Sequence, residues 1–354
     1  MSITHAIRTD SGKQIGFGHL KRCLILADAL RERKGIPKIV LGQADSDTIS
    51  IMENSKHIWS QLNQTDHFDL QPIAGEAKVI IFDLSHKQTL PRSQCVAQLL
   101  RQARKTNVKT LLIDSQGDDC LSALSQMEVD TLVIPYAGAE QQITLPGPVT
   151  HAKGVGFFVI NPAFTKINPE KRAFENPAKQ LLITAGGSDP NGLTLTFLQA
   201  IQDLPQEVTV TVLLGPNFGD GLIKESIKFA QNIKQTVRLI QSPDNLSLVK
   251  AMCSADLALS ASGLTKYELA YLGTPALLMS IDEAHYNVNR EFNKLGTCYD
   301  AGWLDKAVIP RLTEQIKELL CDTDRRQAYS MAGRQSVDGL GIKRVLELVD
   351  DLTT

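Results

Sequence analysis

Aromatic residues are scarce in this sequence, and three familiar patterns are missing: a block of one charge, a cysteine motif and a long apolar run. Phe, Trp and Tyr make up 5% of the 354 residues. The apolar set is therefore mostly Leu, Ile, Val and Ala, which suits buried parallel strands covered by helices. The formal net charge is −2, and no basic stripe runs through the chain, which argues against a general nucleic-acid binder. The six cysteines, Cys23, Cys95, Cys120, Cys253, Cys298 and Cys321, form no CxxC pair and no Cys/His cluster. They read as reduced, mostly buried thiols rather than a zinc site. The opening "MSITHAIRTD" lacks the positive-then-apolar pattern of a secretory signal. No apolar run approaches the roughly 20 residues of a membrane span. The expectation is a soluble cytoplasmic protein with no metal, no cofactor and no nucleic-acid partner. The pattern does not address its oligomeric state.

A chain of 354 residues is long for one core and typical of two domains. Strand-like runs alternate with helical patterns twice over. "HAIRTD", "PKIVLG", "AKVIIFDL", "KTLLIDSQ" and "VDTLVIPYA" read as the strands of a first half, with a helix over about 92–106. "KQLLITAGGSDP", "EVTVTVLLGP", "TVRLIQSP", "DLALSAS" and "PALLMSI" read as those of a second, with helices filling most of the rest. Alternation of this kind predicts parallel sheets with right-handed crossovers. The stretch between them, "TKINPEKRAFENPAK", is charged and proline-bearing and marks a boundary. The expected organisation is a first Rossmann-like domain over 1–165, a linker over 166–178 and a second Rossmann-like domain over 179–354. Ligands of doubly wound sheets sit outside the carboxyl ends of the strands, and in a two-domain version in the cleft between halves.

Four stretches carry residues suited to chemistry. In "QIGFGHLKRCLILADAL", Gly16 and Gly18 sit where a strand should end and a helix begin, followed directly by His19. The positive end of a helix favours an anion and a neutral imidazole able to accept a proton. His19 is thus a candidate general base; a capping or packing histidine is the other reading. Arg22 lies one helical turn on, either facing the same site or solvated. In "TAGGSDPNGLT", Gly186, Gly187, Ser188 and Asp189 lead into a helix expected from Pro190. That turn suits a phosphate or sugar hydroxyl, or a plain cap. In "DLALSASGLTKYELAYLGTP", Ser260, Ser262, Gly263 and Thr265 are small enough to let a diphosphate approach the helix N-terminus. Glu268, about one turn in, could accept ribose hydroxyls; the alternative is an ordinary amphipathic turn with Glu268 on the surface. In "SIDEAHYNVNREF", Asp282, His285, Asn287 and Asn289 form a polar set after what reads as the last strand. A nicotinamide enzyme is excluded because the third glycine of G-x-G-x-x-G is replaced by Lys21.

The residues also carry a resemblance. "RTDSGKQIGFGHLKRCLILADAL" resembles the N-terminal signature of the UDP-sugar hydrolases of the pseudaminic acid pathway: Arg, Asp, Gly-x-Gly-His, Arg-Cys, then a Leu-Ala helix. "LLITAGGSDPNGLT" looks like their Gly-Gly-x-Asp turn. "ADLALSASGLTKYELAYLGTPALL" looks like their nucleotide-binding segment, shared more loosely with UDP-N-acetylglucosamine transferases of the MurG type. Together the blocks span nearly the whole chain.

This resemblance implies a GT-B fold, an α/β architecture of two Rossmann-like doubly wound parallel-sheet domains. It implies a nucleotide-sugar ligand with UDP held mainly by the C-terminal domain, and it requires no metal. His19 would match the histidine that activates water for inverting attack at the anomeric carbon. Glu268 would match the ribose-binding acid, and Gly263, Leu264 and Thr265 would lie at the pyrophosphate. The sequence departs from the pattern in three places. The usual Asn-Gln pair falls on Ala284 and His285. The Asp-x-Tyr motif after "VIIFD" has Ser85 and His86 but no Tyr. The usual Asp-Asp is Asp114 and Ser115. The implied activity is hydrolysis of a UDP-sugar for nonulosonic acid or surface polysaccharide synthesis; a GT-B glycosyltransferase and a non-catalytic nucleotide-sugar-binding protein stay open.

Overall fold

The computed structural model describes residues 3–12, 16–62, 70, 77–84, 92–113, 129–141, 148–167, 172–303 and 308–354. Lys13, Gln14, Ile15, Ser85, His86, Asp114, Ser115 and Cys120 of the sequence reading lie outside the described residues. The chain divides into two compact units, Met1–Asn161 with Gly339–Thr354, and Pro162–Asp338.

The first unit grows from β1 (His5–Ser11), in which every residue is buried. A strand covered on both faces needs no polar alternation, and β1 accordingly lies inside its sheet. Helix α1 (Gly18–Glu32) buries Leu20, Cys23, Leu26, Ala27 and Leu30 along one stripe, the spacing of a helix lying on a sheet. The chain continues through β2 (Pro37–Ala44), α2 (Ser46–Glu53), β3 (Ile58–Gln61), β4 (Val79–Asp83), α3 (Arg92–Lys105), β5 (Lys109–Ile113), β6 (Thr131–Ile134) and β7 (Thr150–Lys153). The strands lie in the order β3-β2-β1-β4-β5-β6-β7, and every pairing is parallel.

The second unit repeats the scheme after a short helix α4 (Pro162–Thr165). It runs through β8 (Gln180–Thr184), α5 (Leu193–Ile201), β9 (Thr209–Leu214), α6 (Asp220–Ala230), β10 (Thr236–Gln241), α7 (Asn245–Ser254), β11 (Leu257–Ala261), α8 (Thr265–Tyr271), β12 (Ala276–Ser280), α9 (Glu283–Lys294) and β13 (Tyr299–Trp303). Helices α10 (Val308–Cys321) and α11 (Thr323–Ser336) close it. Its order is β10-β9-β8-β11-β12-β13, again all parallel. In both units the strand order reverses beside the first strand, between β1 and β4 and between β8 and β11. Such a switch point is where doubly wound sheets leave room for a ligand.

Several expectations are corrected. Strands β3, β7 and β13 were not foreseen, so β12 is not the last strand of its sheet. The second domain does not run to residue 354, because the final helix α12 (Gly341–Asp351) puts Val345, Leu346 and Val349 into the core of the first unit. The expected linker is not free either. Arg172 donates to Thr274 Oγ1 at 2.8 Å and to the Ala255 carbonyl, and Ala178 N donates to the Leu320 carbonyl at 2.8 Å. Those contacts fasten 172–178 to the second unit. Of the four cysteines described, Cys23 and Cys298 are buried, Cys253 is half-buried and Cys321 is exposed. No helix among the described residues is long and apolar enough to cross a membrane.

Candidate functional site

In the first unit the glycine turn folds as its sequence suggests. Gly16 has φ +95°, a conformation costly for any residue with a Cβ, and its N–H closes onto the Gly12 carbonyl at 2.7 Å. The chain turns directly into α1, of which Gly18 is the first residue and His19 the second. Phe17, the N-cap residue, makes no side-chain cap.

His19 meets a partner from a distant part of the sequence. Its Nδ1 lies 2.7 Å from Oδ1 of Asp83, the last residue of β4. The β1–β4 register sets Thr9 opposite Asp83, so the end of β4 stands beside the turn that carries His19. Arg22 reaches the same carboxylate as a fork, Nε to Oδ2 at 2.5 Å and Nη2 to Oδ1 at 2.6 Å. The Cys23 thiol donates weakly to Oδ2 at 3.8 Å. Asp83 is wholly buried and Arg22 is 4% exposed, while the His19 side chain keeps 14% exposure. Burial pushes the Asp83 carboxyl up, but the Arg22 guanidinium and then His19 outweigh it and hold Asp83 well below the usual carboxylate range. Burial, and next the Asp83 charge, push the Cys23 thiol up, so it stays protonated. Of the two readings of Arg22, the structure departs from the solvated charge: the side chain faces the site of His19, with its guanidinium forked onto Asp83. Asp83 itself was missed as a site residue. Its signal was an acid closing an apolar strand, which acquires meaning only once β4 is known to neighbour β1.

In the second unit, Gly186 has φ +80° and turns the chain after β8 much as Gly16 does after β1. Gly187 and Ser188 are exposed. Asp189 departs from the ligand-contact reading. It is 4% exposed and accepts from Leu193 N at 2.8 Å and Thr194 N at 2.9 Å. Both its oxygens therefore satisfy the first N–H groups of α5, which starts at Leu193 rather than Pro190. After β11, Ser262 is buried, Gly263, Thr265 and Glu268 are half-buried and Leu264 is exposed. Gly263 faces open space, with no atom within 4 Å of where a Cβ would stand. The hydroxyls of Ser262 and of Ser280, at the end of β12, are buried without a hydrogen-bond partner among the described residues. Ser260 instead donates to the Ala261 carbonyl at 3.0 Å.

The polar set after β12 separates into two roles. Asp282 caps α9, accepting from His285 N at 2.8 Å and meeting His285 Nδ1 at 2.6 Å. Asn287 is exposed, whereas Asn289 is fully buried and donates to Asp300 Oδ1 at 3.2 Å. Lys266 was not singled out, yet it is 3% exposed. Its ammonium lies over the Tyr267 and Phe292 rings, 5.2 and 5.5 Å from their centroids. Burial draws its pKa down to about 8, against the opposing pull of Cys298 and Asp300. Among the described residues no group of His, Cys, Asp and Glu is placed to hold a metal ion.

These geometries can be set beside known proteins. The chain superposes on MurG of Acinetobacter baumannii with a TM-score of 0.69 at 13% identity, covering 98% of this chain and 99% of that one. The fold is GT-B. Two further GT-B neighbours are a glycosyltransferase of Rickettsia africae (TM-score 0.63, 10% identity, 99% of both chains) and the UDP-GlcNAc 2-epimerase of Neisseria meningitidis bound to UDP-GlcNAc (TM-score 0.60, 14% identity, 98% of this chain and 100% of that one). No family model matches the sequence. Among curated relatives, the spore coat polysaccharide biosynthesis protein SpsG of Bacillus subtilis (strain 168) is 23% identical over 350 residues, 98% of this chain and 97% of SpsG. The uncharacterized protein MJ1062 of Methanocaldococcus jannaschii is 25% identical over 306 residues, 83% of this chain but 57% of that protein. The match thus spans little more than half of MJ1062.

Proposed function

We propose that this GT-B chain hydrolyses a nucleotide sugar, UDP being the nucleotide, and releases UDP and a free amino or deoxy sugar for nonulosonic acid or surface polysaccharide synthesis. The observation that carries the reading is the imidazole of His19, held 2.7 Å from a buried Asp83 carboxylate at the switch point of its sheet. An imidazole anchored at one nitrogen is suited to general-base work at the other. Water gives a proton to His19 as its oxygen attacks the anomeric carbon. The bond from that carbon to the diphosphate oxygen breaks, its electron pair leaves with UDP, and a single displacement inverts the centre.

The second unit is assigned the nucleotide. Backbone N–H groups at Gly186, Gly187 and Ser188 and at Gly263, Leu264 and Thr265, with the Ser262 hydroxyl, are suited to a diphosphate; the Ser262 N–H is held by the Met279 carbonyl at 3.0 Å. Glu268 is suited to the ribose hydroxyls, and Asp282 and His285 to the sugar. Asp189 is left out of that set because both its oxygens are occupied. The UDP-GlcNAc bound by the N. meningitidis epimerase and the polysaccharide role named for SpsG support the substrate class. Transfer to a sugar hydroxyl instead of water is the second reading, supported by the R. africae glycosyltransferase of the same fold.

The test is UDP release from a panel of nucleotide-activated amino sugars with no acceptor present, alongside His19→Ala. Release by the wild type, reduced about 10²- to 10⁴-fold in the variant with UDP affinity unchanged by calorimetry, upholds hydrolysis. Tight UDP binding without release moves the assignment to transfer or to a binding protein. Release that persists in the variant removes His19 from the mechanism.

A further inference from the structure

We propose that Asp83 is a positioning residue that fixes the tautomer and orientation of His19, and that Arg22 serves to hold Asp83 in place rather than to contact substrate. The inference rests on the reading of His19 as a base.

The hydrogen-bond inventory leads to it. Oδ1 of Asp83 receives Arg22 Nη2 at 2.6 Å and faces His19 Nδ1 at 2.7 Å, while Oδ2 receives Arg22 Nε at 2.5 Å. A carboxylate engaged by a guanidinium fork is ionised and has no proton to give. The 2.7 Å contact therefore requires the proton on Nδ1, since a bare Nδ1 would set its lone pair against a carboxylate oxygen. Arg22 Nη2 also comes within 3.3 Å of Nδ1. That approach is longer and joins two donors, so it is proximity rather than a hydrogen bond. With the proton on Nδ1, Nε2 carries the lone pair. The same carboxylate then stabilises the imidazolium formed when Nε2 takes a proton, as in other Asp–His pairs. Because Asp83 is fully buried and Arg22 nearly so, water cannot substitute for either contact.

Asp83→Asn tests the idea with little change of shape. With its oxygen at the Oδ2 position, the amide keeps the Nε arm of the Arg22 fork, and the amide NH₂, at the Oδ1 position, faces His19 and donates to Nδ1. The imidazole is driven to the Nε2–H tautomer, with no lone pair where the base is needed. Turnover is expected to fall about 10⁴-fold, the size of loss seen when an Asp–His pair is altered in this way, with KM little changed. The direct readout is ¹⁵N–¹H NMR of the ring nitrogens, with His19 assigned by its absence in His19→Gln. The uncharged imidazole of the wild type should show Nδ1 protonated and Nε2 bare, and that of Asp83→Asn the reverse.

An uncharged wild-type imidazole that carries its proton on Nε2, with Nδ1 bare, overturns the proposal even if the variant fails to fold. So does an Asp83→Asn protein whose tautomer and rate match the wild type, and that result leaves hydrolysis by His19 standing. The expected tautomers in a protein that hydrolyses no nucleotide sugar uphold the positioning role and overturn the hydrolase reading instead.

Discussion

The two units share one strand order, yet their switch points are furnished in opposite ways. Beside β1 and β4 the chain buries charge: a carboxylate whose oxygens hold a guanidinium and an imidazole, each within 2.7 Å. Beside β8 and β11 it places glycines, exposed backbone and buried hydroxyls with no partner among the described residues. The fold therefore supplies a place, and the side chains decide what the place can do. Ion pairs out of water make a rigid, pre-set group able to exchange a proton. Small residues and unpartnered hydroxyls make a surface that a ligand's oxygens can complete.

The contrast can be broken most sharply by stability. Asp83→Ala leaves the Arg22 charge buried and unpaired and should cost about 3–5 kcal/mol in urea unfolding. Ser262→Ala at the other switch point should change stability by no more than about 0.5 kcal/mol. Equal losses would mean that the two sites do not differ in kind. Asp83 titrates lower in the folded than in the unfolded chain. Its contribution is therefore complete above about pH 4 and is lost as pH falls through the folded value, so the gap between wild type and Asp83→Ala should close in strong acid.

Lys266 is the exception that sharpens the comparison, a buried charge within the second unit. With its pKa drawn down to about 8, the unfolded chain binds more protons than the folded one between about pH 8 and 10.5. Lys266→Met should stabilise the protein by on the order of 3 kcal/mol near neutral pH. That gain should shrink toward zero as pH rises through the window; a gain independent of pH would refute the assignment.

Smaller effects separate binding from capping. Glu268→Ala should weaken UDP by about 1.5–3 kcal/mol in calorimetry, the range for hydrogen bonds to a charged group, with turnover at saturating substrate retained. Asp189→Ala should cost about 1 kcal/mol of stability through the lost α5 cap, and UDP affinity should be unchanged in the protein that remains folded. If Asp189→Ala instead weakens UDP as much as Glu268→Ala does, its carboxylate has a role beyond the cap.

The strands legible in the sequence are those with an apolar or alternating signature. β4, β11 and β12 are buried at every position and mostly apolar, so they read as apolar runs; β1 is buried throughout as well but is mostly polar. β3, β7 and β13 each lie at a sheet edge. β3 buries no residue fully, β7 only Ala152 and β13 only Ala301. An edge strand is held largely by main-chain hydrogen bonds to one neighbour, which every residue but proline can make, so it leaves little mark in composition. The sequence placed helices in the C-terminal stretch without showing which core α12 joins, because an apolar stripe specifies burial without naming a partner.

The sequence by itself determined the two parallel α/β units and the turns after their first strands, since burial period and glycine placement act over a few residues. It also determined that His19 opens a helix directly after such a turn. Tertiary structure alone decided that Asp83, 64 residues from His19, closes on its imidazole, that Arg22 is taken up by that carboxylate, and that residues 339–354 return to the first unit. Local pattern fixes which face of an element is buried. Only strand order and register determine which two buried groups meet, and the electrostatics of His19 follow from that meeting.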